Sequence, residues 1–367
     1  MNIAYRFRIY PTEEQKILLG KTFGCCRFLY NQMLNDKIQE YEKTKKMLKN
    51  TPAMYKREYP FLKEVDSLAL ANVQLHLEKA YKNFFRDPKI GFPKFKSKHH
   101  SRNSYTTNVV NGNILVESKR IRLPKLKWIA MKKHREPAKG LRLKSVTVSM
   151  EPSGKYFASL LYEGDSCENQ AAEPDYSTAK ILGIDYAMQG MAVFSEEIEM
   201  EEAGFFRKNE KRLVREQRKL SRCVRGSHNY ELQKKKVARC HEKIRNQRRD
   251  YLHKLSRKNV DSYDAVAVED IDMKAMGQCL HFGKSVHDNG YGMFREMLDY
   301  KLAWKGKKIV KVDRFFPSSK KCCQCGRIKK ELKLSERVYH CVCGNEMDRD
   351  RNAAINIREE ARRMLIA

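Results

Sequence analysis

Apolar and polar residues alternate along the first ten residues of the chain, a pattern that predicts a half-buried β-strand. The apolar side of this strand consists of Ile3, Tyr5, Phe7 and Ile9. Pro11-Thr12, followed by Gln15, is typical of a helix start. From there to about Phe85, apolar residues recur at helical spacing. We therefore expect residues 11–85 to form a helical module.

Alternating runs return after residue 100 and predict a small β-rich domain that ends near residue 163. These runs are Ile114–Val116, Ile121–Leu123, Val146–Met150 and Tyr156–Tyr162. The last two flank Pro152-Ser153-Gly154, which favours a hairpin. Because the opening strand has no partner near it in sequence, we expect it to join this sheet. The helical module is then an insertion into the β-rich domain.

Residues 86–108 contain Gly and Pro, which interrupt regular structure, and lysines interleaved with Phe92, Phe95 and Tyr105. This composition indicates a loop suited to contacting phosphates and stacking on bases.

The second half of the chain begins after residues 164–178, an acidic segment poor in apolar residues that we interpret as a linker. The pattern then predicts, in order, three strands, a helical region, a strand, a helix, a strand and a final helix. Their positions are Ile181–Asp185, Met191–Ser195, Ile198–Glu201, 207–258, Ala265–Glu269, Met293–Trp304, Ile309–Val312 and from about Arg351 onwards. A loop at 277–290 and a cysteine-rich insert interrupt the series. This is the element order of the RNase H fold.

The charge of the chain implies a polyanionic partner. Its 367 residues include 75 Lys and Arg against 45 Asp and Glu, a formal net charge of +30. Hydrophobic residues make up 41% of the chain, which excludes a wholly disordered basic tail. The mean hydropathy of −0.71 leads us to expect no membrane span and a cytoplasmic protein. The charge is concentrated in 207–258, which we interpret as one wall of a nucleic-acid channel rather than only a solvated face.

The eleven cysteines are unlikely candidates for a disulfide framework in an intracellular chain, but four of them have the spacing of a metal site. Cys322-x-x-Cys325-Gly and Cys341-x-Cys343-Gly each predict a turn that offers two thiolates, the ligand set of a closed structural zinc site. The second pair is closer than usual, so Cys323 and His340 remain alternative ligands.

Three acidic residues lie at the ends of predicted strands and helices, where they could form a catalytic site. Asp185 and Glu269 end two apolar strands, and Asp350 opens the last helix. Singly, each has a plain structural interpretation as a turn or helix cap, as do Asp270 and Asp348. Jointly, in this element order and on so basic a chain, they favour two bound Mg²⁺ ions that cleave a phosphodiester.

Several motifs together resemble the TnpB family, the RNA-guided DNA nucleases of bacterial insertion sequences and the ancestors of type V CRISPR effectors. The motifs are FRIYPTEEQ, FGCCRFLYN, GFPKFKSK, GIDYAMQGMAVFS, RKLSR, VAVEDIDMKAM, VDRFFPSSKKCCQCG and DRDRNAAINI. They span nearly the whole chain, with Ala187 as a modest departure where the family often has glycine.

The resemblance implies an α+β multidomain protein with a β-barrel-like wedge domain, a helical recognition domain and an RNase H-like RuvC nuclease domain that contains a zinc ribbon. The corresponding residues are 1–10 and 86–163 (wedge), 11–85 (recognition), 179–316 and 347–367 (RuvC), and 317–346 (zinc ribbon, binding target nucleic acid). It also assigns Asp185, Glu269 and Asp350 as the catalytic acids that bind two Mg²⁺ ions, with one structural Zn²⁺ on Cys322, Cys325, Cys341 and Cys343.

The implied activity is cleavage of double-stranded DNA beside a short adjacent motif, directed by a guide RNA from the transposon end, with the protein a monomer in the ribonucleoprotein. A nuclease-inactive repressor should lack one of the three acids, and all three are present. A compact CRISPR effector that takes its RNA from an array stays open, because the protein sequence does not specify the guide. A transposase that joins DNA ends fits the zinc ribbon position less well.

Overall fold

The computed structural model describes residues 2–138, 140–164, 174–187, 190–198, 204–278, 288–333 and 335–367. The chain divides into two compact units, Met1–Ser166 and Cys167–Ala367. The helices are α1 (Glu13–Thr44), α2 (Pro52–Glu58), α3 (Ser67–Arg86), α4 (Phe205–Ser221), α5 (His228–Ser262), α6 (Met273–Gln278), α7 (Tyr291–Trp304) and α8 (Arg349–Ile366). Within these ranges, no helix combines the length and the apolar composition needed to cross a bilayer.

The first unit contains a seven-stranded sheet. Its strands are β1 (Asn2–Tyr10), β2 (Asn103–Asn108), β3 (Leu115–Val116), β4 (Arg120–Leu123), β5 (Lys127–Lys132), β6 (Arg142–Met150) and β7 (Tyr156–Glu163), in the spatial order β2-β6-β7-β1-β5-β4-β3. The opening strand lies between β7 and β5 and is antiparallel to both, so it joins this sheet as the sequence predicts. The order begins at β2 and ends at β3 without closing, so the expected barrel is not confirmed by the strand pairing of the described residues.

The helices of the first unit share one core with the sheet. Thr12 and Gln15 form the predicted capping box of α1, with Gln15 N–H donating to Thr12 Oγ1 at 3.3 Å. Leu19 and Leu29 of α1 and Leu70 of α3 are fully buried in the same cluster as Phe7 of β1. The helical insertion is therefore packed against the strand that precedes it in sequence.

The stacking role predicted for Tyr105 is wrong. This residue lies within β2, not in a loop, and only 4% of it is exposed because its side chain points into the core and packs on Phe23 with ring centroids 6.0 Å apart. Phe92 and Phe95 of the same segment are exposed, so they remain available for contacts outside the chain.

The second unit contains a four-stranded sheet in the order β11-β10-β8-β9. Its strands are β8 (Ile181–Ala187), β9 (Met191–Phe194), β10 (Ala265–Glu269) and β11 (Lys308–Val312). β8, β10 and β11 run parallel, and β9 is antiparallel to β8. Leu182 and Ile184 face one side of the sheet, where they share a cluster with residues of α5 and α7. Ile181 faces the other side, with Ile357 of α8, so helices cover both faces.

Three sequence predictions for the second unit fall partly on residues outside the described ranges. The predicted strand Ile198–Glu201 lies outside the described ranges after residue 198. Residues 165–173 of the predicted linker 164–178 and residues 279–287 of the predicted loop 277–290 also lie outside them. The basic region 207–258 does form helices, as expected. It comprises α4 and α5, which pack through a small cluster of Leu213, Cys240 and Ile244.

Candidate active site and metal centre

Asp185 and Glu269 lie at the carboxyl ends of two adjacent parallel strands. In the pairing of β8 with β10, Ile184 is opposite Val268, so the acids that follow leave the sheet at the same edge. Both are half-buried. The strands alternate, and Ile181 on β8 and Ala267 on β10 both belong to the cluster on the α8 side. Asp185 and Glu269 therefore project towards the face that α8 covers.

Asp350, the second residue of α8, lies close enough to Asp185 for its charge to act on that carboxylate. The pKa of Asp185 is raised to about 8, first by burial and then by the negative charges of Glu269 and Asp350. The pKa of Glu269 is also raised, by burial. The structure thus brings all three predicted acids into one electrostatic environment, where burial and the charges of Glu269 and Asp350 disfavour the ionised form of Asp185.

Asp350 differs from its neighbour Asp348 in what its carboxylate contacts. Arg349 directs Nε and Nη2 at Asp350 Oδ1, each at 3.2 Å. Asp348 is the N-cap of α8, and its Oδ1 accepts from the Arg351 N–H at 2.8 Å. Asp270 likewise lies near arginines, 3.8 Å from both Arg295 and Arg314. Asp348 therefore has a structural role that accounts for it, while Asp350 faces the other acids.

The three acids have the chemistry of a magnesium site. Hard oxygen ligands from carboxylates suit Mg²⁺, and adjacent buried carboxylates cost free energy unless a cation neutralises them. A divalent cation would reverse the unfavourable effect of Glu269 and Asp350 on Asp185. The donor set therefore fits Mg²⁺.

The four predicted zinc ligands come together in the ribbon formed by β12 (Val338–His340), β13 (Glu346–Asp348) and the turn before them. The sulfurs of Cys322, Cys325, Cys341 and Cys343 all lie within 4.8 Å of one another. Cys322 Sγ is 3.7 Å from Cys343 Sγ, and Cys325 Sγ is 3.6 Å from Cys341 Sγ. Four sulfurs held about 2.3 Å from one tetrahedral Zn²⁺ would be about 3.8 Å apart. The cluster therefore fits a structural zinc site.

The turn at Cys322 favours the thiolate form of that residue. Gly326 and Gly344 follow the two pairs with φ of 75° and 91°, a conformation that favours glycine. Burial raises the pKa of the Cys322 thiol. Hydrogen bonds from the backbone N–H groups of Cys325 and Gln324 and from the side chains of Asn345 and Cys325 together outweigh this effect, and the pKa falls to about 6. A lowered thiol pKa is what a zinc ligand requires, because the thiolate binds the metal.

The two alternative ligands lie elsewhere. Cys323 Sγ is 3.4 Å from Met347 Sδ, and His340 Nδ1 is 3.5 Å from Glu346 Oε2. Among the residues that the structure describes, neither belongs to the group of potential metal ligands.

Comparison with known proteins decides the family. Residues 160–279 match the OrfB family of IS605 elements, described as "Probable transposase", residues 291–357 match the Cas12f1-like TNB domain, and residues 1–46 match the helix-turn-helix domain of the OrfB family. A Streptomyces pristinaespiralis protein named as an RNA-guided DNA endonuclease is 33% identical over 96% of this chain and 88% of its own. The chain belongs to the TnpB family.

Other comparisons agree with this assignment, which confirms the resemblance found in the motifs. The TnpB-family protein InsQ of Escherichia coli K12, also named as an RNA-guided DNA endonuclease, is 31% identical over 96% of this chain and 91% of its own. Cas12f1, solved by cryo-EM in complex with sgRNA and target DNA, matches with a TM-score of 0.59 over 98% of both chains at 13% identity. This likeness shows a Cas12f1-like mixed α and β fold.

Two asparagines of this TnpB-family protein have a role that sequence reasoning missed. Asn352 and Asn356 are buried on α8. Asn352 Nδ2 donates to Lys321 O at 2.7 Å and Asn352 Oδ1 accepts from Cys323 N at 3.0 Å, while Asn356 Nδ2 donates to Ser318 O at 2.8 Å. The helix that carries Asp350 therefore forms hydrogen bonds to residues 318–323, the segment in which the chain enters the zinc ribbon. The spacing of four residues within the DRDRNAAINI motif was the available signal, because it places both amides on one helix face.

One face of α4 forms a basic groove with a volume of about 660 Å³. The exposed residues Lys211, Arg218 and Arg222 line it, together with Arg207, Arg215 and Lys219. Spacings of seven and four residues place the first three on the same face of the helix. The groove contains six of the 20 Lys and Arg residues of the segment 207–258.

Proposed function

We propose that this protein is the RNA-guided DNA endonuclease of an IS605-type insertion sequence and cleaves double-stranded DNA at a site formed by Asp185, Glu269 and Asp350. The observation that carries the proposal is the convergence of three acids, two at the ends of paired parallel strands and one on the covering helix, in a chain of the TnpB family. Relatives over nearly the full length of the chain are named as RNA-guided DNA endonucleases.

The acids would hold Mg²⁺ against the scissile phosphate. When bound, a pair of ions supplies a hydroxide nucleophile and stabilises the leaving oxygen of an in-line displacement. Asp185 would hold Mg²⁺ together with Glu269 and Asp350, because the charges of both other acids act on it. Arg349, in contact with Asp350 Oδ1, orients that carboxylate. With a single site of this kind, the two DNA strands would be cut in turn.

The remaining parts of the chain would bind and position nucleic acid. We propose a wedge domain at 1–10 and 86–163, a recognition domain at 11–85, a RuvC nuclease domain at 179–316 and 347–367, and a zinc ribbon at 317–346 that binds target nucleic acid. Four sulfur ligands leave no open position on Zn²⁺, so this metal would stabilise the ribbon and take no part in catalysis. The basic groove on α4 would contact phosphates of the guide and target strands.

The guide RNA would derive from the transposon end and select the target by base pairing, with one protein chain per complex. Sequencing the RNA that copurifies with the protein tests this. We expect a discrete RNA that maps beside the gene, and replacing its terminal guide segment should redirect cutting to a matching DNA in Mg²⁺. RNA that maps to a CRISPR array would change the assigned guide source, and heterogeneous RNA with no redirected cutting would contradict the proposal.

A further inference from the structure

Asn345 combines deep burial with two hydrogen bonds to sulfur. It lies between the second pair of cysteines and β13, and only 5% of it is exposed. Its side-chain Nδ2 donates to Cys322 Sγ at 3.4 Å and to Cys323 Sγ at 3.6 Å. An amide nitrogen carries two hydrogen atoms, so both donors of this group are directed at sulfur. The side chain therefore joins the second cysteine turn to the first.

The backbone of Asn345 belongs to the turn that carries two of the proposed zinc ligands. Its carbonyl oxygen accepts from the Cys341 N–H at 2.8 Å, and the Gly344 N–H donates to Cys341 O at 3.0 Å. Neither of these hydrogen bonds involves the Asn345 side chain. A substitution at this position therefore changes what faces Cys322, while the backbone hydrogen bonds of the turn remain available.

Cys322 differs from the other three proposed ligands in its exposure. Only 1% of Cys322 is exposed, whereas Cys325 and Cys343 are exposed and Cys341 is partly exposed. Water can hydrogen-bond an exposed thiolate, but a buried thiolate needs donors from the protein. The amide of Asn345 is a side-chain donor of this kind.

The chemistry of the sulfur determines which end of the amide must face it. Zinc binds cysteine as thiolate, which accepts hydrogen bonds and has no proton to donate. The oxygen end of the amide would repel this charge, so the nitrogen end is required, and it is the end that faces Cys322. Four thiolates around one Zn²⁺ also carry a net negative charge, which an N–H donor stabilises. Residues that contact metal ligands in this way orient the ligands and tune the metal site.

We infer that Asn345 is a positioning residue of the zinc ribbon, whose N–H group holds the Cys322 thiolate on Zn²⁺ and stabilises its negative charge. The inference rests on the proposed function in one respect, because it assumes that the four cysteines bind zinc. The hydrogen bond lowers the energy of the sulfur electrons. Loss of the bond should therefore weaken metal binding and make charge transfer from sulfur to a bound metal easier.

Two substitutions of different size test the inference. Asn345→Leu removes the donor and nearly keeps the volume, and Asn345→Ala removes the donor without adding apolar bulk. Gln324→Leu is the matched control, because it also replaces an amide within a cysteine turn, but the Gln324 side chain is exposed. All proteins are purified as ribonucleoproteins. Zinc affinity is measured by competition with a chelator, and Co²⁺ incorporated during expression serves as the spectroscopic probe.

Both Asn345 variants should bind zinc about 10-fold or more weakly than the parent. Their absorption band for charge transfer from sulfur to Co²⁺ should move to longer wavelength, while Gln324→Leu should match the parent in both measurements. A band at the parent's wavelength in either Asn345 variant would overturn the inference, because a change in packing alone would then account for any weaker zinc binding. A parent that takes up neither Zn²⁺ nor Co²⁺ would contradict the four-cysteine site itself, and the inference with it.

Discussion

Gly183 of β8 lies directly against the backbone of α8 at Ala354. A Cβ atom added to Gly183 would stand 2.0 Å from Ala354 O and 2.9 Å from the Arg358 backbone nitrogen. Only glycine allows this approach. On β8 the contact lies two residues before Asp185, and on α8 it lies four residues after Asp350. The close contact therefore sets the distance at which the strand and the helix present their acids.

Gly183→Ala should separate α8 from β8 and disturb the site. We expect a loss of about 1–3 kcal/mol in the free energy of unfolding, because the new methyl group meets backbone atoms that do not easily move. Cleavage should fall more than stability explains, since the acids move apart. Chemical denaturation and a cleavage assay measure the two effects.

Gly292→Ala provides the control for this substitution. Its added Cβ would have Met273 Cγ as its nearest neighbour at 3.9 Å, and alanine favours a helix, so α7 should become slightly more stable. Equal stability of the Gly183→Ala variant and the parent would show that β8 and α8 do not approach as closely as 2.0 Å from an added Cβ to Ala354 O implies.

Cys322→Ser should release zinc, whereas Cys323→Ser should retain it. The first residue supplies one of four converging sulfurs and the second lies beside Met347, although the two are adjacent in sequence. Metal content by mass spectrometry distinguishes them, with one Zn²⁺ per chain expected for the parent and the Cys323→Ser variant. Loss of zinc from both variants, or from neither, would contradict the assigned ligand set.

The stability of the metal-free protein should depend on Asp185 and on pH. The pKa of Asp185 is about 8 in the folded chain and about 3.9 when unfolded, so rising pH ionises the unfolded state first. The resulting loss of stability begins near pH 4 and is complete above pH 8. Melting in EDTA across this window should therefore show a decline for the parent that is reduced in Asp185→Asn.

At pH 8, Asp185→Asn should melt about 2–4 °C above the metal-free parent, as expected when a repulsive acid is removed from a functional site. Adding Mg²⁺ should raise the melting temperature of the parent and leave the variant nearly unchanged. Equal Mg²⁺ stabilisation of both proteins would argue against Asp185 as a metal ligand.

The basic groove on α4 should contribute to DNA binding in a manner that depends on salt. Replacing Lys211, Arg218 and Arg222 with alanine should weaken binding of target DNA and reduce the slope of log affinity against log salt by about 2–3. A charge-matched control variant replaces Arg257, Lys305 and Arg363 with alanine. Arg257 and Lys305 are paired with Asp261, and Arg363 is paired with Glu360. If both triple variants change the slope equally, the effect comes from net charge and not from the groove.

Sequence patterns predicted the parts of the molecule that depend on local order. Asp185 and Glu269 were found because each ends an apolar run, and the carboxyl ends of parallel strands meet at one edge of a sheet. β2 was missed because NSYTTN has a single apolar residue, and β5 was missed because the four apolar residues of KWIAMK are consecutive and show no alternation. Tyr105 was misplaced for the same reason.

The side-chain contacts between the last helix and the segment before the zinc ribbon were not predicted. The amides of Asn352 and Asn356 find their partners in the carbonyl groups of Lys321 and Ser318, about thirty or more residues earlier in the chain. Such groups become visible only when the packing around them is known.

The most direct test of the acid site compares neighbouring acids within the same ribonucleoprotein. Asp350→Asn and Glu269→Gln should abolish DNA cleavage in Mg²⁺ while RNA binding stays within a few fold of the parent. Asp348→Asn, which keeps an N-cap side chain on α8, and Asp270→Asn should continue to cut. Cleavage at the parent's rate by Asp350→Asn or Glu269→Gln would contradict the proposed active site. Loss of cleavage only in Asp348→Asn and Asp270→Asn would contradict it as well.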